Sequence, residues 1–268
     1  MKKIVTLLMV VITAKAAFAQ DDQIKNFRFG LRATPSINWY KPDDKKKFAS
    51  DGARLKFGYG LITEFRLSNL ISVSTGVGFD YDGGKIDILN DTASAYYIKN
   101  NEFVEIEEAH NDTSGTVGVY HLKSREYNTN YITIPITLKM KTKEIGMLTY
   151  YGMFGVNASF RTKARVEDTY TSLYTPPNSS YDGTDMENTN DMNLFKFALN
   201  IGGGAEYNLS GSTSLVFGLN FYNGFSNVLK KNSRYLLDAS TAQNVIDKKP
   251  LEQKAKGNAI ALTVGILF

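Results

Sequence analysis

From Phe27 to the last residue the chain alternates apolar side chains with polar or small ones, segment after segment. The final stretch is the clearest. Ile260, Leu262, Val264, Ile266 and Phe268 fall on one face, and Ala259, Ala261, Thr263, Gly265 and Leu267 on the other. Successive side chains of a strand point to opposite faces, so this pattern predicts a strand held between an apolar phase and a cramped interior. Other stretches read alike. Phe27, Phe29, Leu31 and Ala33 oppose Arg28, Gly30, Arg32 and Thr34, while Leu55, Phe57, Tyr59, Leu61 and Phe65 oppose Lys56, Gly58, Gly60 and Glu64. The same holds over 71–79, 132–140, 148–160, 195–201 and 215–221, which brings the prediction to eight strands.

A soluble sandwich also alternates, and the polar face separates the possibilities. It carries Arg28, Arg32, Lys56, Glu64, Asp80, Lys139, Lys196 and Glu206, whereas the apolar face carries almost no charge. About ten tilted residues span a bilayer core, and a polar interior behind an apolar exterior marks a small membrane barrel. A lipocalin-like barrel would reverse that polarity. Connections alternate too: short ones near 66–70, 141–146 and 208–212, long ones near 40–54, 82–126, 161–193 and 227–257. Outer-membrane barrels place short turns in the periplasm and long loops outside. The expected fold is therefore all-β, an eight-stranded antiparallel up-and-down transmembrane barrel. Trp39, Tyr40, Tyr81, Tyr131, Tyr150, Tyr207 and Tyr222 fall at expected strand ends and are read as an interfacial girdle.

Ahead of the barrel, Lys2 and Lys3 precede an apolar run from Ile4 to Thr13, followed by small residues with Ala17 and Ala19 at A-x-A spacing. That order is a secretory signal peptide over 1–19, cleaved before Gln20, leaving the barrel as 20–268. Its removal changes the charge picture: the formal +4 loses Lys2, Lys3 and Lys15 and becomes +1. A near-neutral mature chain has no electrostatic footprint for nucleic acid. The absence of cysteine excludes disulfides, thiolate zinc sites and thiol nucleophiles. The 16 Tyr and 16 Phe argue against disorder.

Chemistry is sparse. Eight strands enclose room for side chains and little else, so an open solute channel is not expected. Arg28, Arg32, Glu64, Lys139 and Glu206 are the candidate site, a lumenal charge network whose members persist because they pair. His110 and His121 share the long connection with Ser114 and Ser124, and a hydrolase would need a His held beside a Ser. Two histidines on a loop are more often solvated, and no enzymatic activity is expected. The acids Asp182, Asp185, Glu187 and Asp191 lack the spacing of a calcium loop and read as a solvated polar stretch. Gly202, Gly203 and Gly204 lie inside a strand with no helix after them, which fits close packing in a narrow lumen and not phosphate binding. No cofactor or metal is expected. The 82–126 connection is acidic and the 227–257 connection basic, so they dock on each other or on a partner. Leu236, Leu237, Ala239, Val245 and Ile246 approximate one face of a short helix.

The stretch Asn130-Tyr131-Ile132-Thr133-Ile134-Pro135-Ile136-Thr137-Leu138-Lys139 resembles the Tyr-x-x-Ile-Pro-x-x-x-Lys strand of the PorT-like outer-membrane barrels of the Bacteroidetes. The Phe29-Gly30-Leu31-Arg32-Ala33 and Phe57-Gly58-x-Gly60 strands are similar to that family as well, and the aromatic end at Phe268 is a shared habit of outer-membrane barrels. The resemblance implies a monomeric integral outer-membrane protein. It also implies a role as an accessory of type IX secretion or gliding, meeting outer-membrane lipid and other secretion proteins through its loops or turns. A free-standing surface barrel for adhesion or envelope integrity is the alternative.

Overall fold

The computed structural model describes residues 26–89, 94–100, 102–111, 117–172, 179–238 and 249–268. The segment read as a signal peptide lies outside the described residues. In chain order the elements are β1 (Phe27–Pro42), β2 (Phe48–Ser50), β3 (Arg54–Arg66), β4 (Ile71–Ile88), β5 (Ser94–Lys99) and β6 (Glu102–Val104). A short helix α1 (Ile106–Asn111) precedes β7 (Gly118–Lys141), β8 (Leu148–Ser172) and β9 (Ser180–Glu187). A single 3-10 turn (Thr189–Asp191) leads to β10 (Phe195–Ser210), β11 (Thr213–Asn227), β12 (Asn232–Asp238), β13 (Pro250–Glu252) and β14 (Ala255–Leu267).

Eight of these strands close a ring in the order β1, β3, β4, β7, β8, β10, β11, β14 and back to β1. Every neighbouring pair is antiparallel, with Ile37 opposite Ile260 across the closing seam and Ile134 opposite Ala158 between β7 and β8. The structure is thus an eight-stranded up-and-down barrel. Closure leaves no strand edge inside hydrocarbon, where an unpaired backbone group costs several kcal/mol. Three tight links, at 67–70, 142–147 and 211–212, stand at the end where β1 begins and β14 stops, which is the periplasmic end. The tightest needs Gly211 at φ +56°, a left-handed conformation that a β-carbon disfavours.

Phe29, Leu31, Leu55, Phe57, Leu61, Ile136, Phe154, Leu219 and Leu262 are all exposed on the outside of the ring. An apolar surface of this size on every strand is stable only against lipid. Inside, Thr34, Ser36, Asn38, Thr133, Asn157, Ser159, Asn200, Asn220 and Thr263 are buried. The period of two decides each aromatic as well. Tyr81, Tyr150 and Tyr207 are exposed and Trp39 is half-exposed, as a girdle requires, but Tyr40 and Tyr131 are buried, and Tyr222 takes the parity of Asn220 and lines lumenal voids. Those three belong to the interior, and their place near strand ends was a misleading cue.

The connections expected over 82–126 and 161–193 are shorter than those bounds, because β4, β7 and β8 run on beyond the apolar belt: β7 and β8 stay paired from Lys141 opposite Tyr151 up to Tyr120 opposite Ser172. β2 joins β4, β5 joins β7, β12 joins β5, and β9 joins β8. Leu236 and Leu237 lie in β12, a strand and not a helix, while 239–248 lie outside the described residues. The reason is tertiary. β12 pairs with β5 on one side and β13 on the other, which holds it where a short isolated helix is marginal.

Candidate functional site

The lumen is filled in layers, beginning at the periplasmic end with an ionic one. Arg28 comes from β1, Glu64 from β3, Lys139 and Lys141 from β7, and Glu206 from β10, so five side chains of four strands meet across the axis. One Arg28 nitrogen donates to Glu64 at 2.9 Å and to Glu206 at 2.7 Å. Lys139 donates to Glu64 at 3.4 Å and also to Glu206, and Lys141 reaches Glu206 at 2.9 Å and also Glu64. Each carboxylate therefore faces all three cations. Of the residues named from sequence, the structure brings Arg28, Glu64, Lys139 and Glu206 together. It sets Arg32 apart, towards Tyr222 and Gly78. Lys141 was missed because it follows Lys139 by two and seemed to belong to the turn. The signal was its parity, the same as Lys139.

Above this layer Lys139 lies over the Tyr151 ring, 4.0 Å from its centre. Tyr151, Val216 and Leu267 are buried together there, with Ile62 and Met153 packed against them. Next come amide and hydroxyl pairs, Asn200 to Asn157 at 3.2 Å, Asn220 to Thr263 at 2.9 Å and Thr133 with Ser159 at 2.9 Å. Lys196 then pairs with Asp82, which also accepts from the Asn38 amide at 2.7 Å, and its ammonium lies 4.7 Å from the centre of the Tyr131 ring. Between the layers remain voids of about 40 and 50 Å³, room for a few waters and no more. This arrangement can seal and rigidify a barrel.

Beyond the belt the strand extensions and connections form a cap with its own core. Tyr40, Ile86, Tyr96, Leu122, Tyr127, Val166, Met186, Met192, Leu236 and Leu251 are buried in one cluster. Inside it Arg125 and Asp168, both under 3% exposed, make a two-pronged pair with both nitrogen–oxygen distances at 2.7 Å. Phe103 covers the guanidinium at 4.8 Å and Tyr96 at 5.9 Å. Burial alone opposes the charge on Arg125; the Asp168 carboxylate overrides it and holds the group above its ordinary pKa. Burial, with Asp168 adding to it, pushes the Tyr96 hydroxyl well up. Arg234 meets Glu105 at 3.4 Å, so the basic connection touches the acidic one there, while Lys47 of the first connection meets Asp238 of the basic one at 2.6 Å.

The remaining sequence candidates fall within this cap. Asp182, Asp185 and Glu187 are exposed, but Asp191 is fully buried and accepts from the Ser233 hydroxyl, the Arg234 N–H at 2.6 Å and the Gln253 amide at 3.0 Å. It is a structural acceptor, which corrects its reading as part of a solvated stretch. Among the described residues no three His, Asp or Glu converge as metal ligands would. His121 Nδ1 lies 2.9 Å from the Ser94 carbonyl oxygen, and the His110 ring meets Tyr97 edge-on at 6.1 Å. Ser114 lies outside the described residues.

Residues 18–230 match the model of a protein family described as the outer membrane protein beta-barrel domain. The chain belongs to that family. This outer-membrane barrel is also similar in fold to the outer membrane protein OprG from Pseudomonas aeruginosa, at 11% identity and a TM-score of 0.44 over 90% of this chain and 95% of that one. A second likeness is to Neisserial surface protein A, at 9% identity and a TM-score of 0.39 over 91% and 96%. A third is to Ail, the attachment invasion locus protein of Yersinia pestis, at 11% identity and a TM-score of 0.30 over 90% and 98%. A search of curated proteins returns no match. The barrel is an integral protein of the outer membrane, with its apolar belt in lipid, short turns in the periplasm and the cap outside.

Proposed function

We propose that this barrel is a non-conducting, non-enzymatic accessory of protein export across the outer membrane, of the type IX secretion and gliding kind implied by the resemblance of its 130–139 strand. One observation carries the reading. The lumen is layered shut and the outer mouth capped, whereas a concavity of about 740 Å³ opens to the periplasm. A protein of that shape has a membrane anchor and a periplasmic face to offer, and nothing to conduct. Export through a signal peptide over 1–19 belongs to the same reading, and the N-terminal residue of the mature protein tests it: Gln20 is expected.

The experiment is deletion followed by comparison of the secretome. Cargo carrying C-terminal secretion signals should accumulate in the periplasm. Normal secretion with lost surface attachment would instead favour the adhesion or envelope role, which the raised, internally packed cap supports.

A further inference from the structure

The two ends of the ring are treated differently, and the periplasmic one carries a charge surplus. Inside the turns at 67–70, 142–147 and 211–212 lies an open bowl of about 740 Å³ whose charged lining is Arg28, Arg66, Lys141, Lys143, Glu144 and Glu206. Its floor is the ionic layer, in which Arg28, Lys139 and Lys141 share two carboxylates. One positive charge is left over there. Arg66 then stands over this layer, near the like charge of Arg28 and within the field of the shared Glu64 and Glu206, with no direct ion pair of its own among the described residues. Lys143 adds another on the rim, where the one further acid, Glu144, accepts from the Asn208 amide at 3.3 Å. Cations in excess of the acids around them, Arg66 half-buried and Lys143 exposed at the rim, in a concavity with low-dielectric walls, concentrate negative ligands.

Size and lining narrow the ligand. A volume in the range of a small-molecule pocket is far more than one phosphate or acetate fills. Asn69, Asn208, Thr149 and Ser212 bring amide and hydroxyl groups that both donate and accept, as a peptide backbone requires. The buried Tyr151, Val216 and Leu267 above the floor make the bowl a dead end, so whatever enters from the periplasm stops there.

We propose that the bowl is a binding site for an acidic peptide segment presented from the periplasm, its carboxylates pairing with Arg66 and Lys143 above the positive floor. The site stands on the barrel's geometry and is independent of the secretion role. The test is fluorescence anisotropy of labelled hexaglutamate on the detergent-solubilised full barrel at low salt. Saturable binding is expected, with hexalysine inert. Arg66→Gln/Lys143→Gln should weaken it about tenfold or more, while the extracellular pair Lys45→Gln/Lys46→Gln, equal in charge change, should leave it unchanged. Equal affinity in both double variants, no saturable binding, or inorganic phosphate competing as well as the peptide would each overturn the proposal. So would binding seen only after Asp21→Asn/Asp22→Asn, which would make the chain's own acidic segment the occupant. Should the bowl variant fail to fold, peptide protection of the exposed Lys143 amine from acylation, measured against Lys45 in the unaltered protein, decides the same question. Selective protection supports the site, and equal labelling refutes it.

Discussion

Glu64 and Glu206 each face three cations, so the ionic layer has no spare acceptor. Removing one carboxylate leaves Arg28, Lys139 and Lys141 against the other alone, in a space with little water to compensate. Glu64→Ala should therefore destabilise the barrel by about 3–5 kcal/mol, read as a lower temperature of the mobility shift that accompanies unfolding in detergent. An unchanged shift would show the layer to be hydrated. The same reasoning holds in the cap, where Asp168→Ala orphans the buried Arg125 and should cost about 3–5 kcal/mol of cap stability. Replacing both, as Arg125→Met/Asp168→Leu, should restore most of it, because paired charges offset their own desolvation and apolar substitutes need none. Limited proteolysis of the cap distinguishes the two variants.

Strands of this barrel approach one another where glycine permits. A β-carbon on Gly204 would collide with the Phe217 carbonyl oxygen and lie 2.8 Å from the Tyr151 hydroxyl, whereas one on Gly152 meets nothing within 4 Å. Gly204→Val should impair folding into vesicles, and Gly152→Ala should change stability by no more than about 0.5 kcal/mol. Folding yield by gel mobility checks both, and equal yields would remove steric fit as the reason for the 202–204 triplet. At this scale the sequence was most legible. Alternation alone distinguished Phe57 from Gly58 and Ile136 from Thr137, because a strand has two faces and their solvents differ. It also held the answer for Tyr131 and Tyr222, whose parity is lumenal; proximity to a strand end was the weaker signal.

For the molecule as a whole, layers of paired side chains below a self-packed cap predict silence in an electrical recording. Purified protein in planar bilayers should give no stepwise conductance, and discrete openings would mean that the layers part. The outer face, the inner face and the strand number were determined by sequence, since each follows from local periodicity and the length of a bilayer crossing, and the alternation of short and long connections set the periplasmic placement of the short turns. What the tertiary structure alone decided lies at longer range. Leu237 became strand by pairing with β5, Asp191 became a buried acceptor for residues 42 to 62 positions away, and Lys141 joined carboxylates from two other strands. Such choices depend on which groups closure brings face to face, and a repeating pattern along one strand carries no information about its partners across the barrel.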